Sequence, residues 1–169
     1  MKPANQTRPL LPLALLFSLA ASTDALAASA STKNLLITLP IQEQPGPMAR
    51  CPARFGGTIT GQGNSALLGR MVLIASDCIV PLGTLYTFSQ GHLIIMTVSG
   101  EQIFADYSGQ LVPTGTGGAY VFSGATFQIT GGNGQYAGAT GGGNLLGGED
   151  LVSGSGQLTI SGKMTYRAP

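Results

Sequence analysis

The sequence predicts an all-β protein, a small antiparallel up-and-down barrel of about eight strands. Three observations carry this expectation. From Arg54 onward, apolar and polar residues alternate with a period of two. Glycine recurs at turn-like intervals, and after residue 28 no stretch keeps a helical period for ten residues without a Gly break. Glycine occurs 26 times in the 169 residues, and none precedes Gly46. Only 9% of the residues are charged, far below the ~25% of an average soluble protein, so charge-driven disorder and coiled coil are both poor readings.

The N-terminus reads as an export signal over residues 1–27. Lys2 and Arg8 form a basic head, Leu10 to Leu19 form an apolar stretch broken only by Pro12 and Ser18, and Ala25-Leu26-Ala27 supplies the small residues of a cleavage site. The apolar stretch is shorter than the ~20 residues of a spanning helix, and no membrane span is expected in the mature chain. After cleavage, six basic residues balance six acidic ones. The expected location is outside the cytoplasm, either periplasmic or extracellular. In such an oxidising compartment Cys51 and Cys78 are expected to pair. The bridge would close a loop of about 27 residues, worth roughly 3 kcal/mol in the chain-entropy model.

Residues 28–53, rich in Ala, Ser, Gln and Pro, read as a loose leader with one strand-like piece at Leu35 to Leu39. The barrel domain is expected over residues 54–169. Ile103, Ala105 and Tyr107 alternate with Phe104, Asp106 and Ser108. Val121, Ala125, Phe127 and Ile129 alternate with Tyr120, Phe122, Thr126 and Gln128, and Leu158, Ile160, Met164 and Tyr166 with Thr159, Ser161, Lys163 and Thr165. Turns are expected at Gly61-Gln62-Gly63, Ser99-Gly100, Gly115 to Gly118, Gly131 to Gly134 and Ser153 to Gly156. A meander of such strands must deal with two open edges, and closing on itself removes both. Either Asn34 to Leu39 or Val80 to Phe88 could supply the closing strand. A two-sheet sandwich is the alternative architecture.

The stretch from Ile129 to Gly141, Ile-Thr-Gly-Gly-Asn-Gly-Gln-Tyr-Ala-Gly-Ala-Thr-Gly, resembles the Gly-rich turn of the allene oxide cyclase barrel. Dirigent proteins, which share that barrel, carry a looser version. Leu68-Gly69-Arg70 and Leu158 to Tyr166 look like the matching parts of exported bacterial members of the superfamily, so the resemblance covers roughly Phe55 to Tyr166. It implies the barrel fold. It also implies, for a cyclase, a buried acidic residue acting with an ordered water on an unsaturated fatty-acid epoxide.

No such acid is evident in the sequence. Glu43 lies in the leader, Glu101 follows a turn, and Glu149-Asp150 sits between strands; all three places read as solvated. Asp106 shares the outer face with Ser108. His92, the only imidazole, begins a strand and is not on a nucleophile elbow, which leaves a Ser-His-acid triad without support. The Gly-rich runs lack the Lys and helix of a phosphate cradle. One His and two Cys exclude a His/Cys metal cluster, no cofactor is expected, and the absence of any basic run excludes a nucleic-acid partner.

Two places are candidates for a site. Tyr107, Phe127, Met164 and Tyr166 fall on faces assigned inward, where small residues such as Ala105, Gly109, Ala125 and Gly162 would leave room for a small hydrophobic ligand. The strand from Leu93 to Val98 is apolar on both faces, so Ile94 and Met96 would point outward beside Phe104 and mark a contact in a homo-oligomer. The leading functional expectation is an exported, non-catalytic barrel that binds a small apolar molecule or self-associates. The alternatives are a cyclase or isomerase acting on a hydrophobic substrate, and a structural envelope or matrix protein.

Overall fold

The structure, a computed structural model, describes residues 29–167. The signal peptide expected over residues 1–27 lies outside the described residues. Eight strands follow one another: β1 (Ala30–Pro47), β2 (Phe55–Ser65), β3 (Gly69–Leu82), β4 (Leu85–Thr97), β5 (Gln102–Pro113), β6 (Ala119–Gly132), β7 (Thr140–Asp150) and β8 (Ser155–Arg167). Each pairs antiparallel with its neighbours in sequence, and β1 closes the barrel against β8 from Ala30↔Arg167 to Gln42↔Ser155. The all-β barrel is therefore present, and the closing strand is the one nearest the N-terminus.

That closure corrects the reading of residues 28–53 as a loose leader. Most of that segment, Ala30–Pro47, is the longest strand of the barrel. Its inward row is Leu35, Ile37, Leu39 and Ile41, all buried, alternating with exposed or polar residues. The strand carries no glycine before Gly46 and therefore lacks the punctuation of the rest of the chain, but its period of two is intact. The turn expected at Gly61-Gln62-Gly63 is likewise absent, because β2 runs straight through it. A side chain at Gly61 would come within 2.5 Å of the Leu39 Cδ1 atom, so this glycine serves close packing of β1 on β2 and not a reversal.

One end of the barrel carries the turns after β1, β3, β5 and β7; the other carries those after β2, β4 and β6. The second end is closed by the Gly-rich segment, which forms a short 3-10 turn over Gly134–Tyr136. Tyr136 is only 2% exposed there and packs its ring on Tyr166, with centroids 5.2 Å apart. Glu101 braces the turn, accepting hydrogen bonds from the Gln135 backbone N–H (3.1 Å) and side-chain amide (2.8 Å). Between this plug and the first end lies a continuous core of Leu, Ile, Phe and Met side chains from all eight strands. No helix among the described residues is long and apolar enough to cross a membrane.

Cys51, in the turn after β1, is joined to Cys78 of β3, with Cα atoms 5.2 Å apart. The bridge ties the turn over residues 48–54 across β2 to the wall of the barrel. Arg50 in the same turn donates to the Gln90 carbonyl (2.8 Å) and the Ser76 hydroxyl (3.1 Å), which fixes it on the outer surface.

Candidate functional site

The inward rows of the odd-numbered strands are not hydrocarbon throughout. The β1 row continues past Ile41 to Glu43; the β3 row, Met71, Leu73 and Ala75, continues to Asp77; the β5 row, Ile103 and Ala105, continues to Tyr107; and the β7 row, from Leu145, reaches Glu149. Each of these positions lies towards the disulfide end of the barrel. The antiparallel meander therefore brings three carboxyls and a phenol, distant in sequence, to one level of the interior. Glu43, Asp77 and Glu149 are 5%, 3% and 5% exposed.

They line a cavity of about 30 Å³, whose other walls include Ile41, Leu73, Leu93, Phe88 and Leu158. A space of this size holds one or two water-sized groups. The Tyr107 hydroxyl donates to Asp77 Oδ2 at 2.9 Å. Glu43 Oε1, Asp77 Oδ1 and Glu149 Oε2 are buried without a hydrogen-bond partner among the described residues. Above the cavity, a wider pocket of about 160 Å³ opens at the end of the barrel and shares Glu43, Ile79 and Leu111 with it. Its remaining lining is Pro45, Phe55, Tyr86, Leu151 and Gly154.

The electrostatics follow from burial. Loss of water pushes the Glu43 carboxyl up to about 9, and the adjoining Glu149 carboxyl adds to the rise as hydrogen-bond acceptor and as like charge. Glu43 thus holds a proton at neutral pH. Glu149 is also raised by burial, with the Glu43 hydrogen bond working in the opposite direction. Asp77 is pushed up to about 7, first by burial and then by the neighbouring Glu43; the Tyr107 hydroxyl, the Gly57 backbone N–H and Arg50 each pull it back. Burial and the neighbouring Asp77 push the Tyr107 phenol far above its ordinary range, so it remains a donor. The cavity accordingly contains one firmly neutral acid and one carboxyl that changes charge near neutrality.

Glycine makes room for the cluster. A Cβ at Gly57 would run into Glu43 Oε1, so an L-side chain at this inward position of β2 would displace the carboxyl.

The structure corrects the sequence reading of the acids. Glu43 and Glu149 are not solvated: the first is a barrel-strand residue and the second is the last inward position of β7. Asp77 was not singled out as a site acid by sequence. Glu101 and Asp150 do face solvent, Glu101 bracing the Gly-rich turn and Asp150 accepting from the Ser153 (2.8 Å) and Val152 (3.0 Å) backbone N–H groups in the turn before β8. The signal that would have found the cluster is parity: each acid lies an even number of residues from the apolar residues of its strand's core row.

Of the four aromatic and Met positions expected to line a ligand site, Tyr107 lines the cavity. Phe127 and Met164 are buried in the core outside it, and Tyr166 is half-buried against Tyr136 at the opposite end. His92 and Asp106 pair on the outer surface at 2.6 Å, away from the interior. Ile94, Met96 and Phe104 point outward, as alternation demands. In register with Val72 and Ile74 they form an apolar strip across β3, β4 and β5, with Ile74 49% and Ile94 37% exposed. No group of three or more His, Cys, Asp or Glu side chains among the described residues is placed to hold a metal ion.

The fold and the site define a class: a closed eight-stranded antiparallel barrel with a disulfide-anchored end and a carboxyl cluster buried beneath it. Comparison of the chain with protein-family models, with curated proteins and with solved structures finds no match.

Proposed function

We propose that the protein is exported and that its barrel interior binds a small, largely apolar molecule, which enters at the disulfide end and meets the carboxyls with its polar group. The observation that carries this reading is the convergence of Glu43, Asp77 and Glu149 on one otherwise apolar cavity that continues into a wider mouth. Sites for small ligands are of this kind, mostly apolar with a few convergent polar groups. The disulfide supports an oxidising location. The apolar strip over β3 to β5 supports self-association as a further property of the outer face.

A second reading, an isomerase or cyclase, is favoured by one feature. Glu43 retains its proton while Asp77 loses one near neutral pH, so a donor and an acceptor of protons sit in the same cavity. This is in keeping with the resemblance of the Gly-rich turn to that of the allene oxide cyclase barrel.

The test is native mass spectrometry of protein purified from an oxidising compartment without detergent, followed by NMR titration with small apolar compounds. Retained extra mass, or shifts confined to Ile41, Leu73, Leu93 and Leu158, is expected. A bare mass together with unshifted resonances would leave a structural role in its place. Deuterium incorporated from D2O into the recovered ligand would move the assignment from carrier to isomerase.

A further inference from the structure

Resting on the reading that the interior binds a ligand, we infer that the polar group of that ligand is a protonated primary amine. The hydrogen-bond inventory of the cavity leads to this assignment. Its phenol donor is already used, the Tyr107 hydroxyl donating to Asp77 Oδ2. Three carboxyl oxygens, Glu43 Oε1, Asp77 Oδ1 and Glu149 Oε2, have no partner among the described residues. The rest of the lining is hydrocarbon, with no Lys, Arg or His among the cavity residues. The nearest cation, Arg50, is held on the outer surface by Gln90 and Ser76.

Such a cavity offers acceptors and asks for donors. A carboxylate or phosphate would bring more acceptors and more negative charge to a place with no cation to receive them. A neutral hydrocarbon would leave all three oxygens unpaired. A metal ion fails on placement, since the described acids do not form a metal-holding group. An alkylammonium group supplies N–H donors and a positive charge to unpartnered acceptors on carboxyls able to ionise, and its donors do not have to meet all three acids at once.

Size points the same way. The inner cavity of about 30 Å³ has room for a small head such as an ammonium. The mouth of about 160 Å³, walled by Phe55, Ile79, Tyr86, Leu111 and Leu151, takes an apolar tail. Seating the cation favours the ionised carboxyls, so binding releases protons from the cluster.

The test is calorimetric titration of the full mature chain, disulfide intact, with hexylamine, 1-hexanol and hexanoate at neutral pH. These probes share a tail and differ in the head. Hexylamine is expected to bind at least tenfold more tightly than hexanol, with hexanoate weakest. Its heat should depend on the ionisation enthalpy of the buffer, reporting released protons. Asp77→Asn, and separately Glu149→Gln, should narrow the ratio between hexylamine and hexanol, with the near-ultraviolet circular dichroism of each variant confirming its fold. Hexanol or hexanoate binding as tightly as hexylamine would overturn the amine and leave an apolar-ligand barrel standing. Binding of none of the three, by calorimetry and by NMR shifts of the cavity residues, would overturn both.

Discussion

Replacing Asp77 by asparagine should make the folded protein markedly less sensitive to pH. In the native state burial, with a smaller part from the neighbouring Glu43, raises the Asp77 carboxyl from 3.8 to about 7. The native protein therefore binds this proton more tightly than the unfolded chain does. The stability it contributes is fully present below about pH 4 and is lost as pH rises through about 7. Roughly three units at 1.36 kcal/mol each amount to about 4 kcal/mol, an upper value because part of the rise comes from Glu43. For a domain of this size that corresponds to about 15 °C in Tm. Glu43, raised to about 9, acts in the same direction and extends the loss above pH 7. The carboxamide of Asp77→Asn keeps the size of the side chain and an oxygen for the Tyr107 hydroxyl, but it cannot ionise. Urea unfolding with the disulfide intact, at intervals from pH 4 to 9, should show wild-type stability falling as pH rises. In Asp77→Asn the fall between pH 4 and 7 should shrink by about 4 kcal/mol, while the Glu43 part remains. Wild-type stability that is flat or rises over this range, or an equal slope in both proteins, would refute the buried, proton-holding cluster.

The remaining predictions test the parts that hold the cluster in place. Removing the bridge by Cys51→Ser and Cys78→Ser together should lower stability by roughly 3 kcal/mol in denaturant unfolding; a midpoint that does not move would mean the turn over residues 48–54 is held without it. Gly57→Ala forces a methyl against the Glu43 carboxyl, so overpacking of about 1–3 kcal/mol is expected. A change within about 0.5 kcal/mol, the range of ordinary surface substitutions, would show that the carboxyl swings aside freely. If copies of the chain meet through the outer strip of β3 to β5, the double substitution Ile94→Lys, Met96→Lys lowers the mass measured by light scattering. An unchanged mass would dismiss that contact.

The fold was legible because a barrel writes itself as a period of two. Ile103, Ala105 and Tyr107 on one face, with Phe104, Asp106 and Ser108 on the other, survive intact as β5. Glycine punctuation was the less faithful guide. It located the turns around Gly100, Gly115 to Gly118 and the plugged end, yet Gly61 and Gly63 lie inside β2 against Leu39. The same reliance hid β1, whose inward row of Leu and Ile has no glycine to frame it. A missing side chain can serve a turn or a close approach, and local sequence does not distinguish the two uses.

The site was hidden for a different reason. An acid near the end of a strand is normally solvated, and Glu101 and Asp150 follow that rule. Glu43, Asp77 and Glu149 break it through parity alone: counting by twos from Ile41, Ala75 and Leu145 leads inward, whatever the residue. Their convergence then depends on the closed register that sets β1 beside β8 and β8 beside β7, information no single strand contains. Taking three carboxyls out of water with no facing cation is unfavourable, and hydrocarbon at these positions would make a more stable barrel. Three inward positions give up stability at one level, beside an open mouth, and the proposal of a ligand site in the interior rests on this coincidence.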